Sequence, residues 1–586
     1  MAEKQPLLAS YQGGEVQPHM LGDDASHDVY LAGYAVGARR RRRQAVRRAH
    51  FLGFVLLLAV GYYTHGFGLP KLASTVTQWR SGSLGSPSDS DSPVNMGSTP
   101  IDGPLVLPDI PQCMLHDGSS EPHVYPLVRH SLTFGHDRNV TILQNTTRHH
   151  HPLYDDEPLC GGDDDDNDND DNDDEVGCRW RNVHVTGEVV VRQMTDNGGK
   201  KPSVEVEAVS NDERIRTSVV FDKDTQHLAV VVDDRIWADR DEHWHDGQGA
   251  CLVVRITVWV PPTAHLDTLR VGAVHVGVQL LEDLHLVVDG SARLASVIGS
   301  IVGARSLETE AVRHTHQVRE PEFPSGYSFE AAQLDLATTA SPIQGPWSLL
   351  DRLHIHSVSG AVDVSVRAEG KEEEEEEEEE EADTIVDLAD LRIETLSGDI
   401  GFHEVKSDKP RRPHRLSLFT RSGTLHGSGS FAQVGRVGST SGNIAVALTP
   451  HKLKQDKEKE KETSETATLD SSTVSGTTIV YLLDEAHGQP ITFLESKHHA
   501  VSGAITLHYP TSWIGNIHLE TLAGGKPAVE GKGVHVVPDD SPRWPPRLGH
   551  KVDAIKESPD GAADSEGKSS VKVDTVSGRV QLFFPE

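Results

Sequence analysis

Residues 357–366 read SVSGAVDVSV, a Ser-Gly pair followed by apolar residues at alternate positions. A degenerate copy, SVIGSIVG, surrounds Gly299. The full pattern occurs seven times, at Gly360, Gly398, Gly423, Gly442, Gly476, Gly503 and Gly578. Short stretches that alternate apolar and polar residues are typical of β-strands with one buried face. The chain therefore contains an internal repeat whose unit is a Ser-Gly pair and a short strand.

The spacing of the repeats predicts how they are arranged. Consecutive repeat glycines lie 38, 25, 19, 34, 27 and 75 residues apart. Charged insertions account for the longer spacings of 38 and 34 residues. Short strands at a period of about 20–25 residues predict a solenoid of stacked coils. Glycine suits a corner with positive φ or close backbone approach, and serine would bond locally or stack between coils. The alternative is a β-sandwich with coincidental Ser-Gly hairpins.

The fold class that follows is all-β, with a parallel β-helix or solenoid-like domain over residues 265–586. Runs such as EVVVRQM and CLVVRITVWV predict further strands from residue 106. The spacing of 75 residues between Gly503 and Gly578 leaves room for a missed coil or a long disordered loop. The predicted organisation is a cytosolic tail at 1–50, a membrane anchor at 51–69, a stalk at 70–105, a β-rich region at 106–264, and disordered insertions at 369–383, 451–470 and 538–572.

The charge of the chain excludes one class of function. Lys and Arg number 55 against 89 Asp and Glu, which gives a net charge of −34. Residues 163–175 and 372–381 carry ten acids each, and such blocks stay solvated in loops. A nucleic-acid-binding protein needs a basic surface to neutralise phosphates. We therefore expect no nucleic-acid partner.

A membrane anchor is predicted near the N-terminus. Residues 51–63 read FLGFVLLLAVGYY, and the apolar stretch extends to Leu69. Seven Arg lie between Arg39 and Arg48, so the positive-inside rule places the N-terminal tail in the cytosol. The alternative is a signal peptide cleaved near Ala59. We expect a type II, single-pass membrane protein of the endomembrane system, the vacuole or the cell surface, with the bilayer contacting residues 51–69.

Features on both sides of the anchor agree with this topology. Asn139 and Asn145 begin N-glycosylation sequons. All four cysteines follow the anchor, which favours two disulfides, Cys160–Cys178 and Cys113–Cys251, over free thiols. The tail holds Glu3, Leu7 and Leu8, which match an acidic dileucine signal for an adaptor complex. An inert tail is the alternative.

The repeated (V/L)-S-G-x-(I/V) motif with its following strand resembles the repeats of DUF4097-type adhesin domains. The resemblance covers about residues 265–586 and is best from Ser357 to Leu507. With the anchor and the sequons, the chain resembles fungal single-pass membrane proteins that carry this domain. The resemblance implies a β-solenoid at a cell envelope with a role in binding or adhesion. It implies no catalytic residues.

Motifs for chemistry are sparse. The sequence has no nucleophile elbow, phosphate-binding loop or His-Glu-x-x-His motif. The His pairs, such as His354/His356, lack a third ligand placed by spacing, and the Asp/Asn run lacks the order of a calcium loop. We therefore expect no cofactor, and a metal site stays undetermined. On a β-helix enzyme, Asp363, Asp399 and His403 would line one face.

The function we expect is an adhesin-like binding module without catalytic activity, whose ligand is a cell-surface or cell-wall component of undetermined identity. A carbohydrate-active enzyme on a β-helix, of the polysaccharide lyase or hydrolase kind, is the first alternative. A trafficking or structural component of the endomembrane system is the second.

Overall fold

The structure, a computed structural model, describes residues 122–147, 179–194, 201–238, 249–305, 323–369, 388–405, 411–453, 466–484, 490–538, 549–557 and 569–585. Among the described residues, no helix has the length and hydrophobicity that a membrane span requires. The predicted anchor, the sorting residues Glu3, Leu7 and Leu8, and the acidic loop at 163–175 lie outside the described residues.

The described residues form thirty-three strands. The first nine are β1 (His123–Val124), β2 (Val128–Ser131), β3 (Asn139–Thr147), β4 (Arg179–Gln193), β5 (Ser203–Ser210), β6 (Thr217–Asp222), β7 (His227–Asp233), β8 (Arg235–Ala238) and β9 (Ala250–Val260). The middle eighteen are β10 (Ala264–Ala273), β11 (Gly277–Leu281), β12 (His285–Ser296), β13 (Ile301–Arg305), β14 (Ser328–Thr338), β15 (Ile343–Leu349), β16 (Arg352–Ser357), β17 (Val362–Ala368), β18 (Ala389–Thr395), β19 (Ile400–Glu404), β20 (His414–Thr420), β21 (Leu425–Ala432), β22 (Val434–Ser439), β23 (Ile444–His451), β24 (Ala467–Ser475), β25 (Thr478–Leu482), β26 (Leu494–Ser502) and β27 (Ile505–His508). The last six are β28 (Gly515–Thr521), β29 (Ala528–Glu530), β30 (Val534–Val537), β31 (His550–Lys556), β32 (Ser569–Ser577) and β33 (Val580–Phe583).

The strands form two long sheets, which we call A and B. Sheet B has sixteen strands in the order β30-β31-β28-β32-β26-β24-β22-β20-β18-β16-β14-β12-β10-β3-β7-β6. Sheet A has seventeen, among them the odd-numbered strands from β11 to β29. From β10 to β27 the chain alternates between the sheets, and we call each sheet B strand with the following sheet A strand a coil. Each coil pairs in parallel with the next, as β16 does with β18 and β17 with β19. This all-β arrangement is consistent with the predicted solenoid.

The core lies between the two sheets. In β16 and β18 every second residue points inward, and Leu353, Ile355, Leu391 and Ile393 are fully buried. The parallel register places Ile355 beside Ile393, so equivalent side chains of successive coils stack on one another. Burying each such side chain contributes roughly 1.5–3 kcal/mol. One coil has no core of its own, and stacking supplies it.

The repeat glycines stack at the edge where the chain passes from sheet B to sheet A. A Cβ on Gly423 would lie 2.0 Å from the carbonyl oxygen of Gly398, and one on Gly442 would lie 1.7 Å from that of Gly423. The φ is in the region that favours glycine only at Gly476 and Gly503, where it is +142° and +140°. Close backbone approach between coils is therefore the general reason for glycine at these corners.

A buried hydroxyl lies three residues before most corner glycines. The Thr420 hydroxyl oxygen accepts a hydrogen bond of 3.0 Å from the Gly423 amide, and it lies 2.9 Å from the Thr395 hydroxyl of the preceding coil. The serine of the Ser-Gly pair is exposed instead, as at Ser359, whose hydroxyl donates to the Thr339 carbonyl at 2.9 Å. The hydroxyls that contact one another between coils are therefore not those of the Ser-Gly serines, contrary to one sequence-based expectation.

The opposite edge of the coils holds the insertions. Connections from sheet B to the next sheet A strand have two to six residues from β10 onward. The gaps in the described residues within the coils lie at 306–322, 370–387, 406–410, 454–465 and 485–489, and each joins a sheet A strand to the following sheet B strand. The tight glycine corners leave no room for added residues, so the insertions occur only on the other edge.

The last coil of the chain does not lie last in the stack. Strand β32 pairs in parallel with β26 on one side and with β28 on the other. Strand β33 likewise lies between β27 and β29. Beyond β28, strand β31 pairs with β28 in antiparallel orientation, and β30 pairs with β31 in the same way. The coil formed by β32 and β33 therefore lies between the coil of β26 and β27 and the coil of β28 and β29.

The structure differs from the predicted boundaries at several points. Strands β3 and β4 pair in parallel with β10 and β11, so both sheets continue across the boundary predicted at residue 265. The predicted insertion at 538–572 contains β31 and the start of β32, because alternating residues such as Val552 and Ala554 pack inward. Strand β24 begins inside the predicted insertion at 451–470. Glu369, the first residue of the predicted insertion at 369–383, is buried and forms an isolated antiparallel β-bridge with Arg411.

Candidate binding surface on sheet A

The predicted glycosylation sites lie together on one strand. Asn139 and Asn145 are exposed residues of β3, and their side chains alternate with the buried Val140 and Ile142. The Asn139 side-chain oxygen accepts a hydrogen bond of 2.6 Å from the Thr268 hydroxyl. Glycosylation itself stays a prediction.

The predicted disulfides fall mostly outside the described residues. Cys251 is buried in β9, with 1% of its surface exposed, and it is disulfide-bonded. Cys113, Cys160 and Cys178 lie outside the described residues, so the pairing stays a prediction.

Two of the three residues predicted to line a face lie on the outer surface of sheet A. Asp363 lies on β17 and His403 on β19, and the register places Asp363 beside Gly401 and Ser365 beside His403. Asp399 lies instead at the glycine corner, where its carboxylate accepts a hydrogen bond of 2.6 Å from the Thr424 amide. Asp399 thus precedes β19 and has its carboxylate engaged at the corner, whereas Asp363 and His403 lie within strands.

A small polar cluster forms around Gly401. The position that a Cβ of Gly401 would occupy lies 2.9 Å from Asp363 Oδ1 and 3.2 Å from His426 Nε2. Glycine at this position lets the two side chains approach each other from the neighbouring strands β17 and β21. Next to them, His403 Nδ1 lies 3.4 Å from the Ser428 hydroxyl. The cluster offers both donors and acceptors to a ligand on this face.

Small side chains border the polar cluster. The register places Ala445 beside His426 and Ala447 beside Ser428, and on the far side Ala447 lies beside Tyr481. Strands of a sheet are about 4.8 Å apart, so the backbones of β19 and β25 are roughly 14 Å apart across this stretch. Small side chains of β23 therefore lie between the polar cluster and Tyr481, and we call the outer surface of β21 and β23 the sheet A notch.

Three aromatic rings form the far wall of the sheet A notch. Tyr481 and His508 stack with ring centroids 4.5 Å apart, and His508 and Phe583 follow at 5.2 Å. Desolvation lowers the pKa of His508, so the ring is neutral at neutral pH. Tyr481 is 43% exposed, and the ring face that does not contact His508 is on the side of the Ala447 methyl group. The row thus offers an aromatic surface beside hydrogen-bonding groups.

A buried polar cluster lies under the insertion edge of the same strands. The Glu404 side chain is 3% exposed, and its carboxylate accepts a hydrogen bond of 2.9 Å from the Ser430 hydroxyl. Arg411 Nε lies 3.4 Å from the same carboxylate. Burial lowers the pKa of His414, whose ring is 4.0 Å from Glu404. Because these groups bond to one another in the interior, they serve the fold rather than the outer face.

Sequence reasoning missed the aromatic row and His426. Tyr481, His508 and Phe583 each follow a repeat glycine by five residues. Asp363 and His426 each follow one by three residues. An alignment of the repeats on their glycines would have placed these residues in two columns on the outer face of sheet A.

Comparisons with known proteins give a weak structural likeness and no family. No family model matches the chain, so membership of the DUF4097 family stays a prediction. No curated protein matches either. A solved structure from Clostridium sporogenes ATCC 15579, described as a "putative cell adhesion protein", is matched over 79% of this chain and 100% of that chain. The identity is 4% and the TM-score 0.11, so this likeness carries no argument about the fold or the function.

Proposed function

We propose that the protein is a membrane-anchored binding module of the adhesin type, which contacts its ligand through the outer face of sheet A. The observation that carries this proposal is the exposed aromatic row beside the polar cluster of the sheet A notch. Binding sites for small units combine apolar and aromatic surface with a few placed polar groups. Aromatic faces stack on the apolar face of a sugar ring, while imidazole, carboxylate and hydroxyl groups bond to its hydroxyls.

The ligand we propose is a neutral polysaccharide of a cell wall or cell surface. An extended polymer matches the regular rows that successive coils present at about 4.8 Å intervals. The net charge of −34 repels acidic polymers, which favours a neutral one.

Several sequence features support a luminal or extracellular site of action. The anchor at 51–69, its preceding Arg cluster and the sequons at Asn139 and Asn145 all agree with type II topology. The resemblance to DUF4097-type domains supports a place at a cell envelope. The dileucine residues Leu7 and Leu8 would direct traffic through an adaptor complex. Unchanged localisation of a Leu7→Ala, Leu8→Ala chain would reject that last element.

A polysaccharide hydrolase is the second candidate, because the Asp363 and His426 side chains both lie close to the Cβ position of Gly401. Most such enzymes use two carboxyl groups, roughly 5–5.5 or 6.5–9.5 Å apart. On the neighbouring strand β19 and its corner, the Asp399 carboxylate is held by the Thr424 amide and the Glu404 side chain is buried. Binding without cleavage is therefore the better supported proposal. Release of reducing ends by the wild-type chain, but not by D363N, would favour the enzyme.

The binding proposal is tested with the full chain in lipid nanodiscs. Immobilised neutral polysaccharides, such as β-glucan, mannan and chitin, are incubated with labelled nanodiscs, and empty nanodiscs serve as the control. We expect saturable binding to at least one polymer that soluble fragments of the same polymer inhibit. Binding no greater than that of empty nanodiscs, to every polymer and to intact cells, would overturn the proposal.

A further inference from the structure

Two histidines and an aspartate converge on the outer face of sheet B, far along the chain from one another. His136 lies in the turn before β3, His265 lies in β10, and Asp289 lies in β12. The ligand atoms of all three lie within 4.8 Å of one another. None of these residues belongs to the sheet A surface.

The distances within this group suit a metal ion. His136 Nδ1 lies 2.6 Å from one carboxylate oxygen of Asp289, and His265 Nδ1 lies 3.6 Å from the other. The two imidazole centroids are 4.3 Å apart. Around a tetrahedral Zn²⁺ with Zn–N bonds of 2.0–2.1 Å, neighbouring ligand atoms lie about 3.3 Å apart. The 3.6 Å separation is close to that value. The 2.6 Å separation is a direct hydrogen bond between His136 and Asp289, which a bound ion would replace.

Local backbone features hold the group in place. The register between β10 and β12 shifts between Leu266 and Thr268, and that between β12 and β14 shifts between Val288 and Ser291. Such irregularities re-aim side chains and are common beside functional sites. A Cβ on Gly290 would lie 2.8 Å from the Asp267 carbonyl, so glycine is needed after Asp289. The Gly135 amide donates to the His265 carbonyl at 2.8 Å and ties the His136 turn to β10.

The polar atoms of the group lack other partners among the described residues. His265 Nδ1 is buried and makes no hydrogen bond. The ion pairs found for Asp289 in the described part of the chain involve only His136 and His265, with no Lys or Arg. A buried ring nitrogen without a partner is unfavourable, and a bound cation would satisfy it.

A second group of similar composition provides a contrast. His518, Glu520 and Asp574 also place their ligand atoms within 4.8 Å. There, however, Lys572 lies 3.1 Å from the Asp574 carboxylate. A lysine already supplies the positive charge at this second group, so a metal would have to displace it.

We infer that His136, His265 and Asp289 form a binding site for a divalent transition-metal ion of the Zn²⁺ class. Two imidazoles and a carboxylate are ligands that zinc prefers, and three protein ligands leave a position for water or a ligand group. The ion would link the turn before β3 to β10 and β12, which are neighbours in sheet B.

The test is zinc binding by the full chain, purified without metal in detergent. The chain has 33 histidines, and exposed ones elsewhere would also take up zinc, so the informative quantity is the difference between variants. We compare the wild type with H136A, H265N and D289N, and H518N serves as the matched control from the second group. The His136 side chain is 74% exposed, so H136A should keep the fold. Calorimetry gives the stoichiometry, and thermal unfolding is followed with and without zinc.

We expect the wild type and H518N to bind one more equivalent of Zn²⁺ than the three site variants. Zinc should raise the unfolding temperature of the first two more than that of the three site variants, because a ligand that binds the folded state stabilises it. Equal stoichiometry and an equal rise in unfolding temperature in all five proteins would overturn the inference. A loss confined to H518N would overturn it as well.

Discussion

Gly524 packs against Gly578, a residue that follows it in the chain but precedes it in the stack. A Cβ on Gly524 would lie 2.0 Å from the Gly578 carbonyl oxygen, as at the other glycine corners. Gly524 is therefore the corner of a coil within the gap of 75 residues between Gly503 and Gly578. The last coil of the chain lies between the coil of Gly503 and that of Gly524.

The G524A variant should be destabilised. The added methyl group cannot fit against the Gly578 carbonyl, and the coils must separate or distort. We expect the unfolding free energy to fall by about 1–3 kcal/mol, as for other overpacked sites. The adjacent G525A is the matched control, because no atom lies within 4 Å of its added Cβ. Equal unfolding free energies of the two variants in urea would contradict the role of the corner glycines.

Removal of residues 569–586 should release the C-terminal end of the stack. The deletion takes away β32 and β33 and with them the buried Val571, Val573, Val580 and Leu582. At roughly 1.5–3 kcal/mol per side chain, the loss is at least about 6 kcal/mol. Amide exchange of β28 and β31 should become much faster than in a control that lacks only residues 585–586. Unchanged protection of β28 would show that the last coil does not hold this end.

His498 makes stability depend on pH. It is buried between Ser471, whose hydroxyl lies 2.6 Å from Nδ1, and Tyr509, whose hydroxyl lies 2.8 Å from Nε2. Burial lowers the pKa of His498 from 6.5 to about 3. Between these values only the unfolded chain takes up the proton, so the unfolding free energy falls as the pH decreases below 6.5. The contribution is about 1.4 kcal/mol per pH unit and is absent above that range.

The H498Q variant should therefore lose stability less steeply with acid than the wild type. The exposed neighbour gives the matched control, H499Q, which should keep the wild-type slope. Other histidines with lowered pKa values, such as His354 and His414, contribute equally to both variants. Urea unfolding at several pH values between 7 and 4.5 gives the slopes. Identical slopes for H498Q and H499Q would exclude His498 as a source of acid sensitivity.

Topology can be measured with a tag at each end of the full chain. We expect a protease-exposed N-terminus, a protected C-terminus, and a mass that decreases on glycosidase treatment. Replacement of both Asn139 and Asn145 by Gln should abolish that decrease. A cytosolic, unglycosylated C-terminus would contradict the predicted glycosylation, the predicted disulfides and the proposed extracellular ligand together.

The repeating part of the fold could be predicted because its cause is local. Each Ser-Gly pair marks a corner, and alternation after it marks a strand. Gly524 was missed because Ala523 replaces the serine in TLAG. The insertion of β32 between β26 and β28 depends on pairing over long sequence separations, which a linear pattern does not encode.

The candidate sites were predictable only in part. Asp363 and His403 could be placed on a face from their distance to a repeat glycine. The aromatic row was not predicted, because insertions make the spacing between its members irregular. The group at His136 and Asp289 could not be foreseen, since it depends on a turn and on strand irregularities rather than on a motif.

The most direct test of the binding proposal compares two exposed aromatic residues on opposite faces. Tyr481 on sheet A and Phe419 on sheet B are both 43% exposed, so truncating either removes similar exposed surface. The affinity of full-length Y481A and F419A for a neutral cell-wall polysaccharide is measured in nanodiscs. We predict that Y481A binds about tenfold more weakly, as for a residue that contributes about 1.4 kcal/mol, and that F419A binds like the wild type. Equal affinities of Y481A and the wild type would contradict the assignment of the ligand to sheet A.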